Sequence, residues 1–311
     1  MVTPLYPAPV PARARDYADG ALHGPIPNEA ELTAAVRIEP GRTYGFFTDT
    51  SLCIGCKACE VACKEWNQLP ADGFGLSGNS YDNTNELSAT TWRHVAFIER
   101  IDAGGGRATA MPPFQSNWLM LSDVCKHCER AGCLEACPTG ALFRTEFGTV
   151  VVQQDICNGC GYCVPACPFG VIATNPADGK AHKCTLCYDR LKGGLEPACA
   201  KSCPTNSIQF GELGELRTRA GRRVAQLHER GVPNAYLYGG PGGPGATGGI
   251  GSLHAFFLLL DQPEVYNLPA APTLPATRVR PGLVAGLATM AGVALAAAAA
   301  FAGGKRAGVR R

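Results

Sequence analysis

Residues 125 to 167 hold eight cysteines in two sets: Cys125, Cys128, Cys133 and Cys137, then Cys157, Cys160, Cys163 and Cys167. The second set is spaced C-x2-C-x2-C-x3-C and ends in Cys167-Pro168, the run by which thiolates take the irons of a 4Fe-4S cluster. Three thiolates two residues apart fit one tight loop and can occupy three corners of an iron–sulfide cubane. The fourth lies past that loop, at the start of a short helix, and reaches a neighbouring cluster instead. Two such motifs exchange their last cysteines and hold two clusters side by side. In the first set the middle gap is C-x4-C, a small loop insertion, and the set closes with Cys137-Pro138.

Two further sets flank this pair. Cys53, Cys56, Cys59 and Cys63 have the same spacing but continue Lys64-Glu65-Trp66-Asn67, with no proline after the last cysteine. Cys184 and Cys187 are followed by an eleven-residue spacer, then Cys199, Cys203 and Pro204. All sixteen cysteines of the 311 residues fall into these four groups. An internal repeat runs through them. Cys137-Pro138-Thr139-Gly140-Ala141-Leu142, Cys167-Pro168-Phe169-Gly170-Val171-Ile172 and Cys203-Pro204-Thr205-Asn206-Ser207-Ile208 share one shape: cysteine, proline, turn, apolar strand.

The elements that must position these loops are short. Thr43 to Asp49 reads as a strand running into Cys53. Residues 68–90 are rich in Gly, Asn and Ser and read as a loop. Trp92 to Ile101 is strand-like, with a hairpin turn expected at Gly104-Gly105-Gly106, and Asn117 to Ser122 leads into the central sets. Ala141-Leu142-Phe143 and Thr149 to Val152 form a hairpin between the two central loops. Val171-Ile172-Ala173 with a turn at Asn175–Gly179 repeats the pattern. Glu212 to Arg230 carries Leu213, Leu216, Val224 and Leu227 among charges, the signature of an amphipathic surface helix. A glycine-rich loop, Gly239 to Gly251, precedes Phe256 to Leu260, which suits either a buried strand or a partner contact. Residues 262–281 are proline-rich and read as a linker.

Rival chemistries fit less well. Disulfide frameworks belong to small secreted domains, whereas clustered C-x2-C pairs favour metal. Zinc ribbons use such pairs too, but the x2-x3 continuation, the prolines and the fourfold repeat argue for iron and sulfide. His127 and His182 lie beside cluster cysteines, yet each set already has four thiols, so hydrogen bonding is their expected role. Lys57, Lys64, Lys126 and Lys183 are equally close. They are expected as solvated surface side chains, although positive charge there would raise reduction potentials. A net charge of +2 gives no case for nucleic acid. No nucleophile–base pair or phosphate loop stands out, and Gly239–Gly251 lacks the strand and helix of a dinucleotide fingerprint. No catalytic residue is assigned.

The two ends differ from the body. The first twenty residues read as a disordered Pro/Ala lead with no apolar segment, and Arg13 and Arg15 are separated by Ala14, unlike a twin-arginine signal. Gly282 to Ala302 is uncharged, with ten alanines, three glycines, three leucines and two valines. As a helix its 21 residues would span about 30 Å, a bilayer core. Arg278 and Arg280 flank one side, and Lys305, Arg306, Arg310 and Arg311 the other. The positive-inside rule then puts the C-terminus in the cytoplasm and the cluster domain across the membrane. Gly282 and Gly286 form a small-xxx-small pair that suits packing against another helix. An alanine-rich soluble tail is the alternative.

Together these motifs resemble the iron–sulfur β subunit of respiratory formate dehydrogenases, a family within the four-cluster electron-transfer subunits of molybdopterin oxidoreductases. The resemblance covers about residues 43–281 and a C-terminal membrane helix. It is sharpest at Gly45–Asn67, Cys137–Ile172 and Lys183–Arg190. Nitrate reductase relatives have tryptophan where Cys128 stands, so four 4Fe-4S clusters are implied here. The implied fold is α+β, with two ferredoxin-like modules of two clusters each, central motifs II/III and outer motifs I/IV, and a single transmembrane helix. The implied division is a lead at 1–42, the cluster domain at 43–211, an extension and linker at 212–281, the helix at 282–304 and a basic tail at 305–311. The resemblance implies four ligand sets: Cys53, Cys56, Cys59 and Cys203; Cys63, Cys184, Cys187 and Cys199; Cys125, Cys128, Cys133 and Cys167; Cys137, Cys157, Cys160 and Cys163. Spacing alone supports the central exchange and leaves open a sequential pairing of first with second and third with fourth.

The function implied is conduction. A molybdenum or tungsten pterin catalytic α subunit oxidises formate, and electrons pass through this protein to a membrane cytochrome b γ subunit and quinone. Export of the folded subunit would rely on a signal carried by the catalytic partner. Dimethyl sulfoxide, polysulfide or tetrathionate reductase subunits are the nearest alternatives, followed by a soluble polyferredoxin and a zinc-stapled scaffold.

Overall fold

The structure is a computed structural model and describes residues 37–73, 75, 78, 81–99 and 118–307. Most of the expected lead, the Gly104–Gly106 turn, the strand limits at Ile101 and Asn117, and Arg310 and Arg311 lie outside the described residues.

In chain order the first strand is β1 (Tyr44–Asp49), followed by helix α1 (Ala58–Asn67), β2 (Arg93–Glu99) and β3 (Trp118–Val124). A one-turn helix α2 (Gly132–Glu135) leads to β4 (Leu142–Arg144) and β5 (Val150–Val152). Then come α3 (Cys163–Ala166), β6 (Ala173–Thr174) and β7 (Ala181–His182). Two short helices, α4 (Tyr188–Lys192) and α5 (Ala198–Lys201), precede β8 (Ile208–Glu212) and the long α6 (Leu213–Glu229). The last elements are β9 (Tyr236–Tyr238), β10 (Ala255–Leu259), two 3-10 turns at Pro263–Tyr266 and Pro275–Arg278, and α7 (Val279–Ala307). The strands expected before the first cysteine loop and between the two central loops form, whereas of Val171-Ile172-Ala173 only Ala173 is in a strand, β6.

One four-stranded sheet, ordered β8-β1-β10-β9, carries the body, while β2-β3, β4-β5 and β6-β7 are separate antiparallel pairs. Strand β1 pairs antiparallel with β8 and parallel with β10, with Phe47 opposite Phe256 in the latter. Both faces of β1 are buried, and its side chains alternate between two cores as strand geometry requires. Tyr44 and Phe46 face a core that includes Cys59, Cys125, Cys184 and Cys199. Phe47 faces the other, with Leu213, Leu216 and Leu227 of α6 and Phe256 to Leu259 of β10. The sheet is thus a wall between the cysteine loops and α6.

Packing decides two stretches that the sequence left loose. The run at Phe256 to Leu259 is a central strand rather than a partner contact, and each of these side chains is fully buried. It lies in the stretch read as an extension, so the sheet joins residues on both sides of the expected 211/212 limit. The proline-rich stretch read as a linker packs down too, with Tyr266, Leu268 and Leu274 buried in the α6-side core. Fixed φ angles at Pro263 and Pro275 start its 3-10 turns. Helix α7 differs from the rest in kind. Leu283, Val284, Leu287, Met290, Val293, Leu295 and Phe301 are all exposed, and this is the one helix among the described residues long and apolar enough to cross a membrane.

The parallel β1–β10 contact is tight. The Phe46 N–H donates to the His254 carbonyl at 2.8 Å, and a Cβ at Gly45 would lie 1.9 Å from that oxygen. Gly45→Ala is therefore expected to cost about 3 kcal/mol or more, the upper end for overpacking, read as a fall in the unfolding midpoint. An unchanged midpoint would refute the register.

Candidate iron–sulfur sites

Each cysteine loop begins with the same backbone device. The residue just before the second cysteine is left-handed in all four: Gly55 (φ 68), His127 (φ 43), Gly159 (φ 74) and Leu186 (φ 57). Such turns point successive backbone N–H groups into the loop and make an anion-binding concavity. In the fourth loop the Leu186 N–H donates to Cys184 Sγ at 3.3 Å. Glycine takes this conformation without penalty, whereas His127 and Leu186 bear strain of the kind held at functional sites.

Short helices then divide the sulfurs between neighbouring sites. Cys59 and Cys63 lie on α1 four residues apart, one turn or about 5–6 Å along the axis. On the facing α5, Cys199 and, just past its end, Cys203 repeat the spacing. The result is an exchange. Cys53, Cys56, Cys59 and Cys203 line one cavity that opens to solvent. Cys63 instead faces Cys184, Cys199 and Cys187, whose charges act on it. The central helices do the same. Cys133 lies on α2 and Cys137 just past it, and Cys163 lies on α3 and Cys167 just past it. Cys128 lies beside Cys125, Cys167 and Cys133, while Cys137, Cys157, Cys160 and Cys163 line a second cavity.

The four groups form a row. Cys59 and Cys199 interact between the first and second groups, Cys184 and Cys125 between the second and third, and Cys133 and Cys163 between the third and fourth. At the two ends the cysteines Cys56 and Cys160 are exposed, whereas the middle of the row is buried.

Burial, and secondarily mutual repulsion, dominates the electrostatics. Burial pushes the Cys59, Cys133 and Cys187 thiols up to about 12, and Cys53 and Cys163 to about 11. Cys63 and Cys128 are pushed well above the ordinary thiol range. Cys137 is the exception. Burial pushes it up, but N–H groups of Leu142, Thr139 and Ala141 and the Thr139 hydroxyl outweigh that and lower it. Four anionic sulfurs cannot share so dry a space without a cation among them. An iron–sulfide cube meets that demand. Among the described residues no three His, Cys, Asp or Glu side chains converge on one metal-ion position, which fits zinc poorly, given its bonds of about 2.3 Å to sulfur.

The surroundings correct the reading of the lysines. Lys126 and Lys183 are buried rather than solvated. The Lys126 ammonium donates to Val124 O at 2.8 Å and pairs with Asp123; that of Lys183 donates to Cys184 O at 3.0 Å and to Val150 O. Lys57 pairs with Glu60 and Asp82, and Lys64 with Asp72. His127 hydrogen-bonds as expected. Its Nδ1 accepts from Val150 N at 3.0 Å, so the proton sits on Nε2, a buried atom with no partner among the described residues. His182 pairs with Asp178.

Comparison with known proteins agrees with this geometry. A 4Fe-4S dicluster domain family matches residues 52–141, and another of the same description matches residues 116–213. The formate dehydrogenase iron-sulfur subunit of Haemophilus influenzae is 42% identical over 232 residues, 73% of this protein and 68% of that one. The formate dehydrogenase-O iron-sulfur subunit of Escherichia coli is 42% identical over 235 residues, 74% of this protein and 72% of that one. This protein belongs to the family of formate dehydrogenase iron–sulfur subunits. A more distant relative, the B subunit of the anaerobic dimethyl sulfoxide reductase of Escherichia coli, is 38% identical over 182 residues, 58% of this protein and 80% of that one. As an iron–sulfur subunit the protein serves electron transfer, and its one apolar C-terminal helix fits anchoring to a membrane.

Several side chains at the sulfurs escape sequence reasoning. The Thr139 and Thr205 hydroxyls approach Cys137 and Cys203 at 3.6 and 3.8 Å. Their signal was available, since each stands two residues after its cysteine in Cys-Pro-Thr. Ser122, 3.3 Å from Cys59, and Arg93, 3.2 Å from Cys199, are far away in sequence and carry no such mark. Burial pushes the Arg93 guanidinium down, yet Cys199, Cys59 and Cys184 outweigh that and hold it above its usual value.

Metal binding by such a site is folding free energy. Anaerobic removal of iron with a chelator is expected to abolish the cooperative unfolding transition. Retention of the same midpoint after stripping would show that the cysteine sets need no metal.

Proposed function

We propose that this protein relays electrons from a molybdenum- or tungsten-pterin catalytic subunit, where formate is oxidised, through four 4Fe-4S clusters to a membrane cytochrome b subunit and quinone. The observation that carries the reading is the row of four cysteine quartets with an exposed cysteine at each end. In this reading Cys53, Cys56, Cys59 and Cys203 hold the cluster next to the catalytic subunit. Cys63, Cys184, Cys187 and Cys199 hold the second, Cys125, Cys128, Cys133 and Cys167 the third, and Cys137, Cys157, Cys160 and Cys163 the one nearest the membrane. Each bound cluster supplies a one-electron couple.

The protein's own part is to fix the cysteines in a row, exclude water from the middle of it and set the local field. Buried Lys126, Lys183 and Arg93 supply positive charge near the sulfurs, and backbone N–H groups and threonine hydroxyls supply hydrogen bonds. Both raise the potential of a thiolate-bound centre. Helix α7 is the anchor, and the excess of Lys and Arg on the C-terminal side of its apolar run over the N-terminal side puts the C-terminus in the cytoplasm and the cluster domain on the other side. The shorter, weaker match to the dimethyl sulfoxide reductase subunit weighs against that substrate.

Affinity purification from membranes should recover a catalytic and a cytochrome subunit with formate-to-quinone activity and roughly sixteen iron atoms in this subunit, four per cluster. Cys160→Ser is expected to lower cluster content and abolish quinone reduction while leaving formate-to-dye activity in the catalytic subunit. Full quinone reduction in that variant would refute the relay.

A further inference from the structure

Arg93 is the largest fully buried side chain of the described residues, with a relative exposure of 1%. Its guanidinium lies over the Phe46 ring, 4.8 Å from the centroid. Nη2 donates to Cys199 Sγ at 3.2 Å, and Nη1 to the Ser122 carbonyl and hydroxyl at 3.1 and 3.3 Å. The Ser122 hydroxyl is in turn 3.3 Å from Cys59 Sγ. Nε is buried and lacks a partner, and no carboxylate pairs with Arg93 among the described residues. The other buried cations near the sulfurs are different, since the Lys126 and Lys183 ammonium groups donate to carbonyl oxygens and Lys126 has Asp123 as well.

A buried cation without a counter-ion costs several kcal/mol. The fold retains one here, and its negative partners are sulfurs of two different quartets: Cys199 by direct contact and Cys59 through Ser122. We propose that Arg93 is a positioning residue shared by the first two clusters of the row, raising both potentials. The proposal rests on the cluster assignment above. Its physical basis is that a fixed positive charge in a poorly screened interior favours the more negative state of any centre beside it. A hydrogen bond to the ligating sulfur adds to this on the Cys199 side, so the second cluster should feel Arg93 more than the first.

The test is a redox titration of the intact complex followed by electron paramagnetic resonance. Arg93→Met is expected to lower two of the four couples, one of them by a factor of about ten in the reduced-to-oxidised ratio, 59 mV for one electron, with the other two unmoved. Arg93→Lys, which keeps the charge, should restore most of the shift. Ser122→Ala should lower a single couple by less. Full iron with all four couples unmoved in Arg93→Met, or all four shifted alike, would overturn the proposal. Should Arg93→Met lose its clusters, Ser122→Ala carries the test, and four unmoved couples in that variant also overturn it. Wild-type protein free of iron would instead refute the cluster assignment itself.

Discussion

The structure depends on one constraint: anionic sulfur cannot be buried without positive charge to meet it. Eight of the cysteines are fully buried and most of the rest half-buried, and burial pushes many of their thiols far from ionisation. Iron supplies the balancing charge, and the remaining features refine it. Left-handed residues before each second cysteine turn N–H groups inward. Threonine hydroxyls, a buried arginine and two buried lysines surround the quartets.

The second layer of organisation is the division of labour between helices and sheet. Helix α1 and three one-turn helices, with cysteines four residues apart, assign neighbouring sulfurs to neighbouring sites, which places the sites side by side with no extra scaffold. The sheet holds those helices in place. Its strand β10 comes from late in the sequence and runs parallel to β1, from which the first cysteine loop departs. Arg223 on α6 closes the connection, donating to buried Asp49 at 2.8 Å and to Ser51 at 3.0 Å. Asp49 also accepts from the Ser51 N–H at 2.9 Å, so α6 braces the turn that leads to Cys53. This buried ion pair acts on the shape of the loop, a role in which charge pairs contribute more to geometry than to stability.

Helix α7 stands apart because it has no core of its own. Apolar side chains surround it on all sides and are exposed, and in water such a surface is unfavourable by about 25 cal/mol per Å². A lipid bilayer or a neighbouring membrane helix removes that cost. Its many Ala and Gly residues lower its affinity for lipid and let another helix approach closely.

Much was legible in the residues themselves. The spacing of the sixteen cysteines showed the chemistry, because a cubane's corners set the loop lengths, and the Cys-Pro repeat located the strands after three of the loops. The apolar tail was plain from its composition. Spacing could not choose between an outer I/IV exchange and a sequential one, since both satisfy each loop locally; the packing of α1 against α5 brings Cys63 to Cys184, Cys187 and Cys199. Nor could it choose a role for Phe256 to Leu259, because a short apolar run fits a strand or an interface equally well. Arg93 reads as an ordinary charged residue at the start of a strand. Only the fold, by pairing β2 with β3 and laying that pair beside α1, takes it out of water and sets it between Cys199 and Ser122, because burial and long-range contact are properties of the assembled molecule.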